Sequence, residues 1–202
     1  MGIFKCLVDT PERMIAFREK YDIPDNVQTK LGELGDEMFF NNWMPFPLVA
    51  IVEGGVRFPL HPILKNCLRS WQLAPCQLSP NVFKVIMGTV EINKMIGSHF
   101  DVHDIEECYD VCQSKTGAGY YYLRLRKFEQ PFVHDLEDSY KRAGDDRLLV
   151  SGEWEFGPGE SRYCKIPRYF GAPASNCRNS SVNFFLMFVS YTAGPLQSGP
   201  RD

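Results

Sequence analysis

Apolar positions recur at helical spacing through the middle of the chain. Ile63, Leu64, Cys67, Leu68 and Trp71 share one face, with Lys65, Asn66, Arg69 and Ser70 between them, which predicts a helix buried along one side. Leu73-Ala74-Pro75 ends it, because proline lacks the N–H a helix needs and restricts the residue before it. Ser79 then stands where a helix cap is expected and Pro80 at the first helical position. Behind them Val82, Phe83, Val85, Ile86, Val90 and Ile92 predict a second helix with a largely apolar face. Two helices joined by a short Pro-rich link form the expected centre of the core.

The flanks are read the same way. Thr10 caps and Pro11 opens an N-terminal helix that turns Met14, Ile15 and Phe17 to the core and ends near Asp22-Ile23-Pro24-Asp25. From there to Asn42 the pattern is mixed and reads as loop. Residues 43–52 read as a short helix closed by Gly54-Gly55. Residues 101–114 read as an acidic helix with a stripe of Val102, Ile105, Tyr109 and Cys112, ended by Gly117 and Gly119. In residues 120–128, Leu123 and Leu125 alternate with Arg124 and Arg126, the period of a half-exposed strand. A short helix is expected over 132–140, a turn at Gly144-Asp145-Asp146, a strand over 147–156, a turn at Gly157-Pro158-Gly159, and an apolar strand over 182–191.

These elements predict an α+β fold: a helix-dominated single domain with a small number of β-strands in the C-terminal half. The expected limits are 1–194, with a helical core over 11–116, a mixed strand and helix part over 117–194, and a flexible tail over 195–202. No internal repeat is visible.

Composition narrows the function classes. With 202 residues and 44% hydrophobic content, the chain is long enough for one sizeable core. A net charge of -3 excludes a whole-protein basic field for nucleic acid, leaving a local patch open. No apolar run approaches the roughly 18 residues of a membrane span, so no membrane partner is expected. The opening MGIFKCLVDTPERM has too short an apolar run for a signal peptide. Gly2 with Cys6 fits a myristoylation site poorly, since Ser or Thr is preferred at that place. Cysteines at 6, 67, 76, 108, 112, 164 and 177 are odd in number and read as reduced thiols, which points to the nucleus or cytoplasm. Asn179-Ser180-Ser181 is only formally a glycosylation acceptor. No Gly-rich loop follows a strand and no βαβ alternation appears, so no nucleotide cofactor is expected.

Phe17-Arg18 with Tyr21-Asp22-Ile23-Pro24 resembles the opening of a plant gypsy-type transposon domain family. Residues 55–62, GVRFPLHP, resemble its GLRxPLHP motif, and residues 73–81, LAPCQLSPN, its LAPxQLxPN motif. The aromatic and basic strand over 120–127 is similar to a matching segment. The resemblance covers about residues 15–156. It implies a retroelement-derived protein, gag-associated or domesticated from such an element, and it carries over no catalytic residue. Val56 departs from the usual leucine, and Cys108, Cys112 and the C-terminal end diverge.

Four candidate sites follow. His99, His103, Cys108 and Cys112 are the metal-like residues; each pair is four apart, yet the CxxC spacing of a zinc knuckle is missing. His61 lies in the strongest motif, where a cap on the following helix or a bond to a backbone carbonyl competes with a general-base role; Arg57 beside it reads as an ion-pair partner or surface contact. Tyr120, Tyr121 and Tyr122 interleave with Arg124, Arg126 and Lys127, a pattern suited to stacking bases and meeting phosphates, or to a solvated strand face. Lys141, Arg142 and Arg147 would extend the patch, against Asp135, Glu137, Asp138, Asp145 and Asp146. Phe184, Phe185 and Phe188 would form a contact surface if exposed. Glu106-Glu107 reads as a solvated face and Asp145-Asp146 as a turn. The leading expectation is a non-enzymatic, gag-like module for self-association or protein binding. Nucleic-acid binding through 120–127 is the alternative, and an enzyme built on His61 or the Cys/His set a further one. No small-molecule substrate is identifiable.

Overall fold

Arg147, Leu148, Leu149 and Val150 are buried in succession, the pattern of a strand covered on both faces and both edges. In the computed structural model, which describes residues 3–32, 43–114, 120–127, 129–131, 133, 136, 146–162 and 165–168, this run is the middle strand of the larger sheet. The helices in chain order are α1 (Pro11–Lys20), α2 (Leu48–Val52), α3 (Pro62–Trp71), α4 (Pro80–Ile96) and α5 (Val102–Cys108). The strands are β1 (Val27–Leu31), β2 (Met44–Pro47), β3 (Tyr109–Gln113), β4 (Tyr121–Leu125) and β5 (Arg147–Gly152). Single 3-10 turns lie at Lys5–Leu7 and Pro75–Gln77. The fold is α+β, as expected, with two small antiparallel sheets.

The first sheet has the order β1-β5-β2, with Thr29 and Met44 both opposite Val150. The second is the pair β3-β4, with Asp110 opposite Arg124 and Cys112 opposite Tyr122. Tyr121 joins β4 to the helical part: it is buried, bridges Leu78, and its carbonyl accepts the Ser79 N–H at 2.8 Å. The core centres on Phe46 of β2, whose ring meets those of Phe58, Phe83 and Trp154 at centroid distances of 5.4, 6.1 and 6.4 Å. Edge-on and tilted pairs of this kind add to the burial itself. Leu64, Cys67 and Leu68 of α3 and Val82, Phe83 and Ile86 of α4 pack into the same cluster.

Helix starts follow the local signals. The Thr10 hydroxyl accepts the Arg13 N–H at 3.3 Å, and Pro11, Pro62 and Pro80 each open a helix. Ser79 occupies the cap position of α4, but its side chain makes no capping bond.

Four expectations are corrected. Residues 43–52 are not one helix: β2 precedes α2, and its Pro45 and Pro47 are tolerated because β2 is an edge strand. The stretch read as loop before Asn42 contains β1, paired along β5. Two of the five strands among the described residues therefore precede the central helices. The helix expected over 101–114 stops at Cys108, where Tyr109 begins β3; pairing with β4 overrides a helical stripe of only modest strength. Ile15 is 58% exposed, because α1 turns Met14, Phe17, Arg18 and Tyr21 inward and position 15 lies off that face. The helix expected over 132–140 (apart from Val133 and Leu136), the strand over 182–191 and the tail fall outside the described residues.

Candidate functional site

The segments carrying the family resemblance are occupied in building the fold. Arg18 donates to the carbonyls of Val27 at 2.6 Å and Pro24 at 2.9 Å and to the Thr29 hydroxyl at 3.2 Å, fixing the turn between α1 and β1. Arg57 forms no ion pair among the described residues; it donates to the carbonyls of Ile51 at 3.0 Å and Val56 at 2.8 Å, and its guanidinium lies 5.1 Å from the Tyr21 ring centroid. The Gln77 side chain is buried and accepts the Ala74 N–H at 2.9 Å, closing the turn before α4.

His61 caps α3. Its Nδ1 accepts the Ile63 N–H at 3.3 Å, so the neutral ring carries its proton on Nε2. Its backbone carbonyl accepts the Lys65 N–H at 3.1 Å. Burial, then the charges of Lys94 and Lys65, hold the imidazole below its ordinary pKa, with Glu91 and Glu160 acting the other way. A general-base role would compete with the cap for the same nitrogen.

Beside His61, α3 meets the segment that follows β5. Lys65, set among polar residues in the sequence, is buried; its ammonium pairs with Glu160, which also accepts the Gly157 N–H at 3.0 Å. Those bonds hold the Glu160 carboxyl below the usual range, Lys65 contributing most. Glu155 is buried, accepts the Ile166 N–H at 2.7 Å, pairs with Arg168, and has Arg69 at 4.0 Å. Arg168 stacks 4.6 Å from the Trp154 ring centroid. Burial lowers the Arg168 pKa, opposed by Glu155. The arrangement is a clamp between α3 and residues 153–162 and 165–168, in which Lys65, Glu160, Glu155 and Arg168 each have a charged partner. Nothing in the sequence marks it, since the charged residues of α3 lie about ninety positions from their partners (Lys65 to Glu160, 95).

The β3-β4 ladder carries the surface singled out for binding. Tyr121 points inward, while Tyr122, Arg124 and Arg126 share the outer face. Tyr122 is 39% exposed. Asp110 spans both arginines, accepting from Arg124 at 2.9 Å and from Arg126 Nε at 3.1 Å. The Arg124 bond leads in lowering the Asp110 carboxyl below its ordinary pKa. Lys127 is exposed beside them. Tyr120 is half-buried, and its hydroxyl lies 3.3 Å from the buried Arg147 guanidinium, so neither belongs to the exposed strip. Arg147 therefore does not extend a basic patch, and Lys141 and Arg142 lie outside the described residues. Asp146 is no surface acid either: its buried carboxylate accepts the Phe4 N–H at 2.6 Å and the Lys5 N–H at 3.0 Å. Glu106, read as solvated, accepts from Ser70 at 2.5 Å and Trp71 Nε1 at 3.0 Å and ties α5 to α3.

The metal-like residues are spread over different elements. His99 precedes α5, His103 lies near its start, Cys108 ends it, and Cys112 is on β3. Among the described residues no three His, Cys, Asp or Glu side chains converge as a metal site. Burial first, then Glu129, Glu107 and Asp104, raises the Cys108 thiol. Phe184, Phe185 and Phe188 lie outside the described residues. No helix among the described residues is long and apolar enough to cross a membrane. No family model, no curated protein and no solved structure matches the chain.

Proposed function

We propose that this chain is a non-enzymatic interaction module that binds a protein partner or a second copy of itself through the outer face of β3-β4. The observation that carries the reading is the ordering of the arginines on that face by a carboxylate. Asp110 engages both Arg124 and Arg126. A strip with an exposed tyrosine and two arginines held by a carboxylate has the composition of a protein interface, where Tyr and Arg are enriched. A retroelement-derived, gag-like role in the nucleus or cytoplasm belongs to this proposal and rests on the two motifs quoted above.

The test is light scattering behind size-exclusion chromatography over a range of concentrations at low and moderate salt. A defined dimer or larger assembly, weakened by Y122A/R126A, is the expected result. A monomer throughout removes self-association and leaves a different protein partner. Nucleic-acid binding replaces the reading if a single-stranded oligonucleotide binds wild-type protein with affinity falling steeply in salt and R124A/R126A/K127A abolishes it.

A further inference from the structure

The N-terminus of α3 is closed by an imidazole, a group whose ordinary pKa is about 6.5. Most helix caps are hydroxyls, carboxylates or amides, which keep an acceptor across the physiological range. Here the acceptor is the Nδ1 lone pair of His61, which protonation removes outright, since imidazolium has only donors. Pro62 supplies no N–H, so Ile63 offers the first backbone donor of the helix. A protonated ring would thus set a cation against that N–H and against the positive end of the α3 dipole.

The charged groups around His61 offer little relief. Lys65 on α3 and Lys94 on α4 repel an imidazolium; Glu91 on α4 and Glu160 in the segment after β5 attract it. Both carboxylates are already engaged, Glu91 with Lys94 at 2.7 Å and Glu160 with Lys65 and the Gly157 N–H. One residue before His61, the Leu60 N–H donates to the Trp154 carbonyl at 3.1 Å. The cap therefore sits where α3 begins, one residue from a backbone bond to Trp154 in the segment after β5.

We propose that His61 is an acid-sensitive latch: neutral, it closes the first turn of α3; protonated, it releases that turn and loosens the Leu60–Trp154 joint. The folded state favours the neutral ring. Its contribution is complete above the ordinary imidazole value of about 6.5 and is lost as pH falls below it, through the lower value of the folded protein. The device is independent of the β3-β4 face.

The experiment compares wild-type protein with His61→Asn, which keeps a capping acceptor that does not titrate. Amide exchange protection of Ile63, referenced to Val90 in the same sample, is measured from about pH 7.5 to about pH 5. Wild-type Ile63 should lose protection about fivefold or more relative to Val90, the scale of a lost cap, while His61→Asn stays flat. Equal pH dependence in both proteins, or no loss in wild type, overturns the latch. Should His61→Asn fail to fold, the wild-type imidazole and the Ile63 amide are followed together by NMR. A shared midpoint below about 6.5 supports the proposal, and an imidazole that titrates without moving Ile63 overturns it.

Discussion

Asp110 faces Arg124 across the β3-β4 ladder, carboxylate to guanidinium at 2.9 Å, and holds Arg126 from the same position. One short acidic side chain thereby engages both arginines in the part of the strand whose sequence most resembles a nucleic-acid platform. Asp110→Asn removes that charge with little change of shape. Because the groups are about half exposed, stability should change by less than about 1 kcal/mol. Affinity for a single-stranded oligonucleotide, followed by fluorescence anisotropy at low salt, should rise several-fold, and the self-association seen by light scattering should weaken. Unchanged oligonucleotide binding would show that Asp110 does not mask the arginines.

The Lys65–Glu160 pair makes a separate prediction about acid stability. Lys65 is buried, whereas the Glu160 side chain is about one-third exposed, so Glu160→Gln should cost about 2 kcal/mol, between the values for surface and buried pairs. The Glu160 carboxyl is held below its ordinary pKa. Its stabilisation is therefore complete above about pH 4.3 and is lost as pH falls below that through its folded value. Urea melts across this range should show a shallower acid limb in Glu160→Gln than in wild type.

Two glycines are required by geometry. Gly152 has φ +82°, and a Cβ there would lie 2.3 Å from the Asn26 carbonyl oxygen, which accepts the Glu153 N–H. Gly152→Ala should cost at least about 2 kcal/mol, from the left-handed backbone and the displaced carbonyl together. A Cβ on Gly54 would lie 2.7 Å from both the Ala50 carbonyl oxygen and the Phe83 Cβ. Gly54→Ala should cost roughly 1–3 kcal/mol by overpacking α2 against α4. Denaturant midpoints measure both; a Gly152→Ala protein as stable as wild type would contradict the turn geometry.

Thiol reactivity should follow burial. Cys6 is exposed, whereas burial pushes the Cys76 thiol up to about 12 and the Cys67 thiol further in the same direction. Alkylation of the native protein near pH 8, read peptide by peptide by mass spectrometry, should modify Cys6 at least about a hundredfold faster than Cys67 or Cys76. Urea should abolish the difference. Fast native labelling of Cys67 would mean that α3 opens readily.

What could be read from the sequence was what is decided within a turn or two of chain. Thr10, Pro62 and Pro80 mark helix starts because caps and ring constraints act on adjacent backbone, and the apolar faces of α3 and α4 follow from their period. The fold class and the capping role open to His61 were accessible for the same reason. Tertiary structure decided the rest. Residues 43–52 read as helix until β5 supplies a strand for Met44–Pro47 to pair with. Tyr109 and Cys112 fit a helical stripe until β4 takes them into a ladder. Lys65 is a surface residue by sequence and a buried one once Glu160 reaches it, and Asp146 becomes a cap only when Phe4, 142 positions earlier, is folded onto it. Local preferences are written in neighbouring residues; strand partners and buried charges depend on groups far along the chain, which no local pattern brings together.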